Sequence, residues 1–147
     1  MSAEKTLPVG LPCLCGVLRQ ASRAVSRLYD EELRSVGLRT TQYSLLKLLQ
    51  RSGGVRQRDL AGLTLHDETS LTRSLRPLVD ARWVAVRTGE DRREKWLTIT
   101  AVGVAKLEEA RPAWERAQER IQSLLPKRVW RGLVEILPEV ARLTAES

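Results

Sequence analysis

The sequence predicts a mainly α-helical fold that carries one small β-hairpin, and three observations support this prediction. Apolar residues recur at helical spacing in three segments, at about residues 12–36, 41–52 and 67–82. Residues 83–100 instead show partial alternation of β-branched and aromatic residues around a charged centre that contains a glycine. Glycines, prolines and capping residues separate these segments. The expected architecture is therefore a set of helices around a single hairpin.

Glycine and threonine mark the borders of the first two helices. The first begins after a proline and stops at Gly37, which places it at about residues 12–36. Thr40 or Thr41 can cap the second helix, which ends before a pair of glycines at about residue 52.

Two further helices are predicted after the hairpin. Thr100 can cap a helix that runs to about residue 123, and Pro126 opens a last helix that reaches about residue 144. Pro112 and Pro138 lie inside these two segments. Because each proline removes a backbone donor, each is expected to kink or split its helix.

The centre of the chain has the order of a winged helix-turn-helix. A short helix at about residues 56–64 and a longer one from Asp67 to Arg82 precede the hairpin. Asp67 is the expected N-cap of the longer helix. Its apolar seam consists of Leu71, Leu75, Leu78 and Val79. We place the whole winged helix at about residues 41–100.

The second of these helices and the hairpin loop carry side chains suited to nucleic acid. Five polar residues on the helix are of types that reach phosphates and base edges: Thr69, Ser70, Thr72, Arg73 and Arg76. The loop carries Asp91, Arg92 and Arg93. A hairpin tipped with adjacent arginines fits a groove of DNA, so double-stranded DNA is the predicted partner.

Charge and length agree with this interpretation without deciding it. The net charge of +7 favours an anionic partner, but it does not distinguish DNA from RNA, the ribosome or a membrane surface. Residues 51–97 hold ten Lys or Arg against seven Asp or Glu, so binding is expected to depend on their placement. A chain of 147 residues is expected to form one domain, residues 1–147.

The two helical flanks predict a homodimer. The segments at about 12–36 and 101–144 hold more apolar surface than a small monomer can easily cover. A two-fold symmetric dimer places two DNA-reading heads on one face of the duplex. Such a dimer matches a pseudo-palindromic operator with half-sites about 34–36 Å apart.

The sequence also predicts a compartment. It has no run of about 18 apolar residues and no basic segment leading into a long apolar core, which predicts neither a membrane span nor a secretory signal. A cytoplasmic protein is therefore expected. Its two cysteines, Cys13 and Cys15, are too close in sequence to staple distant parts of the fold, and a reducing compartment keeps them as thiols.

Three stretches together resemble the MarR family of bacterial transcription regulators, and the resemblance covers nearly the whole chain. They are Gly37–Leu46 at the start of the second helix, Leu71–Leu75 in the reading helix, and Asp91-Arg92-Arg93 followed by Leu97–Thr100 in the wing. The resemblance implies a winged helix-turn-helix flanked by N- and C-terminal dimerisation helices. It also implies a sequence-specific DNA-binding regulator, a repressor released by a small-molecule inducer or by thiol oxidation.

The resemblance assigns roles in the wing. In that family an Asp-x-Arg motif places an arginine in the minor groove, which implies that Asp91 orients and Arg93 inserts. A guanidinium suits a narrow, negative minor groove. Arg92 is expected to contact phosphate. Family members often have a glycine where this chain has Arg82.

The N-terminal helix is similar to that of the thiol-based organic-peroxide sensors in the family. Cys15 matches their reactive cysteine, and Tyr29 matches one of the tyrosines that hold it across the dimer. Arg19 and Thr40 occupy two other tyrosine positions, so the set of tyrosines that holds the reactive cysteine would be incomplete in this chain. Because residues two apart on a helix point about 200° away from each other, a bond between Cys13 and Cys15 requires local unwinding.

Several alternatives stay open at the level of sequence. The two cysteines could instead be packing residues, or four thiols of a dimer could capture a soft metal or an arsenical. The winged helix could be a docking module for an acidic protein. An enzyme is not expected, and neither is a cofactor or a dedicated metal site, because the chain has one histidine, no Cys-x-x-Cys and no glycine-rich phosphate loop.

Overall fold

The computed structural model describes residues 13–64 and 66–146. Over these residues the chain forms six α-helices, one 3-10 turn and three strands. In chain order they are α1 (Leu14–Leu33), the 3-10 turn Arg34–Val36, α2 (Thr40–Ser52), β1 (Val55–Arg56), α3 (Gln57–Thr64), α4 (Glu68–Asp80), β2 (Val84–Thr88), β3 (Lys95–Ile99), α5 (Ala101–Leu124) and α6 (Lys127–Ala145). The mainly α-helical fold with a β wing is confirmed.

The turn between α1 and α2 confirms one sequence prediction and corrects another. Gly37 ends the first helical segment with φ of 71°, a left-handed conformation that glycine adopts without strain. The prediction that Thr40 or Thr41 caps α2 is wrong, because Arg39 holds the cap position. Its backbone N–H donates to Gln42 Oε1 at 3.0 Å, and the N–H of Thr40 donates to Asp30 Oδ1 at 2.7 Å. The free donors of α2 are thus satisfied partly by α1.

The hairpin belongs to a three-stranded sheet in the order β1-β3-β2. Both pairings are antiparallel, with Val86 opposite Leu97 in the hairpin and Arg56 opposite Trp96 in the added strand. Strand β1 was not predicted from the sequence, which instead indicated a helix from about residue 56. A strand of two residues is too short to show alternation, and it forms only because β3 offers it partners.

The reading helix α4 begins as predicted and ends earlier. Asp67 is its N-cap, which confirms that prediction. The helix stops at Asp80 rather than at Arg82. Arg82 has φ of 61°, in the left-handed region that favours glycine, and among the described residues it is the only residue other than glycine with positive φ. The chain therefore turns sharply into β2.

The prolines at residues 112 and 138 do not split their helices. Both α5 and α6 run through a proline, as α4 does at Pro77. Pro112 and Pro138 are exposed, and so are Glu108 and Val134, whose carbonyls lose their helical partners, so water can reach these positions. The cap of α5 by Thr100 is confirmed, and Pro126 is the residue before the first turn of α6.

Leucines from most elements form a core that lies under the reading helix. The fully buried ones are Leu33, Leu46, Leu49, Leu60, Leu71, Leu78 and Leu97. The first and last helices, α1 and α6, contribute little to this core. Leu33 is the one buried residue of α1, and no residue of α6, whose whole length is described, is buried. Both helices therefore present apolar side chains to their surroundings.

Candidate nucleic-acid interface

The start of α4 is fixed by the carboxylate of Asp67. The backbone N–H and the hydroxyl of Ser70 each donate to this carboxylate at 2.8 Å. These hydrogen bonds, the backbone one foremost, hold the pKa of Asp67 below its ordinary value. The hydroxyl of Ser70, a predicted DNA contact, is thus engaged in the cap.

The rest of the predicted polar face of α4 is exposed. Thr69, Thr72, Arg73 and Arg76 all present their side chains to solvent. The hydroxyl of Thr72 donates to the carbonyl oxygen of Glu68 at 2.8 Å and accepts from Nε2 of Gln57 at 2.8 Å. The sequence did not single out Gln57, which ties the first residue of α3 to the reading helix.

The wing tip is a tight turn organised by Asp91. Its Oδ1 accepts the backbone N–H of Arg93 at 3.0 Å, and its carbonyl oxygen accepts the N–H of Glu94 at 2.9 Å. Within the part of the chain that the structure describes, Asp91 makes no ion pair with the guanidinium of Arg93. The aspartate thus fixes the backbone of Arg93, while the side chains of Arg92 and Arg93 are exposed.

The base of the wing holds a charged group that sequence reasoning missed. Arg56 Nη1 lies 3.1 Å from Glu94 Oε1, and Arg56 Nε lies 3.4 Å from Asp59 Oδ2. The guanidinium also lies 5.5 Å from the ring centre of Trp96. Arg56 and Glu94 are 38 residues apart, so only the pairing of β1 with β3 brings them together.

A cleft of about 590 Å³ lies between the start of α4 and the wing. Its lining residues are Arg56, Gln57, Arg58, Glu68, Thr69, Thr72, Asp91, Arg93, Glu94 and Lys95. Four of the eight residues predicted as DNA contacts line it. Ser70, Arg73, Arg76 and Arg92 lie outside it. The cleft thus brings together the start of α4 and the arginine of the wing.

Comparisons with known proteins agree with this geometry. Residues 36–94 match the model of the MarR family. A curated relative, the uncharacterized HTH-type transcriptional regulator YwoH of Bacillus subtilis (strain 168), is 30% identical over 92 residues, which are 63% of this chain and 67% of that protein. The M. tuberculosis transcriptional regulator MOSR, solved in complex with DNA, is 31% identical with a TM-score of 0.76, over 90% of this chain and 98% of that one.

The chain belongs to the MarR family. It is therefore a DNA-binding transcriptional regulator and not an enzyme. The fold is also that of Bordetella bronchiseptica BpsR, whose structure concerns regulation of its DNA binding by 6-hydroxynicotinic acid. That protein is 21% identical, with a TM-score of 0.77 over 92% of this chain and 98% of its own.

The cysteines of this MarR-family chain lie at the start of α1. Cys13 is the residue before the helix, Cys15 is in its first turn, and both are free and exposed in the single chain. Tyr29 is fourteen residues further along the same helix, about 21 Å at 1.5 Å per residue. Its hydroxyl donates to Oε1 of Gln118 on α5, and burial raises its pKa. Tyr29 can therefore meet Cys15 only across a dimer.

A second cavity, of about 610 Å³, lies between this MarR-family winged helix and the flanking helices. Tyr43 and Trp114 contribute a stacked pair of rings with centres 5.8 Å apart, and both line the cavity. Lys47, Arg51 and His66 also line it.

Two further observations concern other sites. Across residues 13–64 and 66–146, no three His, Cys, Asp or Glu side chains of this MarR-family chain come together as they would around a metal ion. Over the same residues, no helix has both the length and the apolar character needed to cross a membrane.

Proposed function

We propose that this protein is a homodimeric repressor that reads a pseudo-palindromic operator with α4 and the wing. The observation that carries the proposal is the shared cleft, which the start of α4 and Arg93 line together. A duplex seated against this cleft could be read in two grooves at once. The M. tuberculosis regulator MOSR, similar over most of its length, was solved in complex with DNA, which supports the same mode of binding.

The proposed division of roles follows the chemistry of the exposed side chains. Thr69, Thr72, Arg73 and Arg76 lie on the exposed side of α4 and would read base edges or contact phosphates in the major groove, with Ser70 at the helix start. Arg93, whose backbone Asp91 fixes, would enter the minor groove. Arg92 would contact phosphate. Because several contacts are charged, affinity should fall steeply as salt increases.

Helices α1 and α6 would form the interface of the proposed dimer. Apolar side chains along α1 and α6 are exposed in the single chain, which is unfavourable for a protein that stays monomeric. The large ones are Leu14, Val17, Val25, Val129, Leu133, Val134, Ile136, Leu137 and Leu143. A second copy that covers them would also place the two wings on one side of the molecule.

Two signals are proposed to release DNA. A small molecule bound in the second cavity would touch α2, α4 and α5, and so could change the spacing of the two heads. Regulation of BpsR by 6-hydroxynicotinic acid supports ligand control in this fold. Oxidation at Cys15 or Cys13 is the other signal, and both thiols are exposed in the single chain. The proposal also places the protein in the cytoplasm.

Fluorescence anisotropy of labelled DNA from upstream of the gene, against scrambled competitor, tests DNA reading. Arg93→Ala should lower specific affinity by about fivefold or more, since each good groove contact contributes about 1–3 kcal/mol. Arg111→Ala is the matched control, because it removes the same charge from an exposed position on α5. Equal, small effects of both variants would contradict the proposal and favour a protein-docking module.

The same titration with reduced and peroxide-treated protein tests the thiol signal. Specific binding should be lost on oxidation and restored by a thiol reductant. Cys15→Ser should remove most of this response if Cys15 is the reactive residue, and Cys13→Ser serves as its matched control. A response that needs both cysteines and follows added arsenite instead of peroxide would favour the soft-metal alternative. If DNA binding is unchanged under all conditions, both cysteines serve only as packing residues.

A further inference from the structure

Arg56 occupies the junction of three elements. It ends β1, directly precedes α3 and lies opposite Trp96 of β3. Its side chain is 43% exposed, and Glu94 is 31% exposed. The guanidinium pairs with Glu94 at 3.1 Å and lies against the face of Trp96. The position of this arginine is therefore held by the wing itself.

The orientation of Arg56 is fixed more strongly than its exposure suggests. Its Nε is inaccessible to solvent and makes no hydrogen bond among the described residues. The carboxylate of Asp59 is near Nε at 3.4 Å, at ion-pair distance but without hydrogen-bond geometry. A buried donor without a hydrogen-bond partner costs free energy, and the ion pairs of the same guanidinium with Glu94 and Asp59 offset this cost. The stem of Arg56 is thus packed into the protein.

Glu94, the partner of Arg56, closes the wing loop. Its backbone N–H donates to the carbonyl oxygen of Asp91 at 2.9 Å, and its own carbonyl oxygen accepts the N–H of Gly89 at 2.8 Å. A Cβ on Gly89 would lie 3.0 Å from Glu94 Oε2 and 3.1 Å from Trp96 Nε1. The carboxylate thus lies close over the backbone of Gly89. Fixing it also fixes the turn that presents Arg93.

We propose that Arg56 is a positioning residue for Arg93. The pair of Arg56 with Glu94 sets the distance from the wing arginine to the start of α4, both of which line the shared cleft. The inference rests on the proposed role of Arg93 in DNA reading. It assigns specificity to a residue that acts through the wing and contacts no base.

A double-mutant cycle on the full-length protein tests the inference. Arg56→Met removes the charge but keeps an unbranched stem over Trp96. Alone it should lower affinity for the specific site by roughly three- to tenfold. In the Arg93→Ala background it should have almost no further effect, because the group that it positions is gone. Affinity for scrambled DNA should not change.

The salt dependence separates positioning from direct contact. A lysine or arginine that contacts phosphate contributes about one to the slope of log affinity against log salt, so its loss lowers the slope by about one. In the Arg93→Ala background, where Arg93 itself no longer contributes, Arg56→Met should leave the slope unchanged. Arg58→Met is the matched control, since Arg58 lines the same cleft, is exposed and makes no ion pair among the described residues. Its effect should add to that of Arg93→Ala.

Glu94→Gln provides a second route to the same result. It removes the ion pair from the other side and leaves Arg56 and its charge in place. It should reproduce the loss of specific affinity and the lack of additivity with Arg93→Ala, even if Arg56→Met lowers the melting temperature. Additive effects in both cycles, or a salt slope that Arg56→Met reduces further in the Arg93→Ala background, would overturn the inference. If Arg93→Ala itself had no effect, the proposed function of the wing would be wrong as well.

Discussion

The hydroxyl of Thr100 donates to the carbonyl oxygen of Arg82 at 2.6 Å, and this bond joins the start of α5 to the turn before the wing. The backbone N–H of Thr100 donates to the carbonyl oxygen of Trp83 at 2.9 Å. The same hydroxyl oxygen accepts the N–H of Gly103 at 3.0 Å, which caps the helix. These hydrogen bonds hold the start of α5 against the backbone of Arg82 and Trp83, where the chain enters the wing.

Gly103 is needed for this junction, because a Cβ there would lie 2.2 Å from the carbonyl oxygen of Trp83. Gly103→Ala should lower the free energy of unfolding by about 1–3 kcal/mol, since the backbone must shift. Gly62→Ala on α3 is the control, because its Cβ meets nothing within 4 Å. That change should stabilise the protein by about 0.5–1 kcal/mol. Urea unfolding at matched protein concentration measures both. Equal effects would contradict this account of the junction.

Arg82 should accept glycine, because its φ of 61° is unfavourable for a residue with a Cβ. The left-handed conformation costs about 1–2 kcal/mol, and glycine loses about 0.5–1 kcal/mol of chain entropy, so Arg82→Gly should stabilise the fold by up to about 1.5 kcal/mol. Arg87→Gly, at an exposed position of β2, should destabilise it. Thermal unfolding of both variants at one concentration checks the prediction. A lower melting temperature for Arg82→Gly would show that its side chain matters more than its backbone.

The cap of α4 should make stability depend on pH. Because hydrogen bonds from Ser70 lower the pKa of Asp67 in the folded state, the stabilisation is complete above the unfolded value of about 3.9 and is lost as pH falls through the folded value. Asp67→Ala should therefore be less stable than the wild type at neutral pH, and the difference should shrink below about pH 4. Asp67→Asn caps without titrating, so it should be more stable than Asp67→Ala by an amount that does not change with pH. Circular dichroism melts across this range measure the difference.

The hydrogen bond from Tyr29 to Gln118 joins α1 to α5 and should make the free energy of unfolding depend on pH in the alkaline range. Burial raises the pKa of Tyr29 above its usual value of about 10. Its contribution is therefore complete below that value and is lost as pH rises through the folded pKa. Tyr29→Phe should cost about 1 kcal/mol at neutral pH and weaken the alkaline loss of stability. Combining it with Gln118→Leu removes both polar partners and should recover part of the cost. A steeper alkaline loss in Tyr29→Phe would contradict this prediction.

Features with local signals could be predicted from the sequence. Asp67 and Thr100 cap helices because a short acceptor side chain reaches the free N–H groups of the next turn, and both were identified. The alternation around residues 83–100 identified β2 and β3. The exposed side of α4 was recognised because its apolar seam repeats at helical spacing. Each of these signals lies within a few neighbouring residues.

Features that depend on distant partners could not be predicted in this way. The two residues of β1 carry no period, and β3 alone makes them a strand. The cap of α2 was assigned to threonine, whereas the donor of Thr40 is satisfied by Asp30 of the preceding helix. Prolines were expected to kink or split α5 and α6, but neither helix is split, because both prolines face solvent. A sequence pattern gives only the spacing of residues along the chain. These outcomes depend instead on which other segments, or solvent, lie next to those residues in the fold.

The amino-acid sequence by itself determined the helices, the hairpin and the chemical types of the side chains at the proposed reading surface, because backbone preference and apolar periodicity act over one or two turns. Only the tertiary structure decided which charged groups meet. Arg56 and Glu94 are 38 residues apart, and they pair because two strands align in one register. The wing geometry therefore depends on contacts between segments far apart in the sequence.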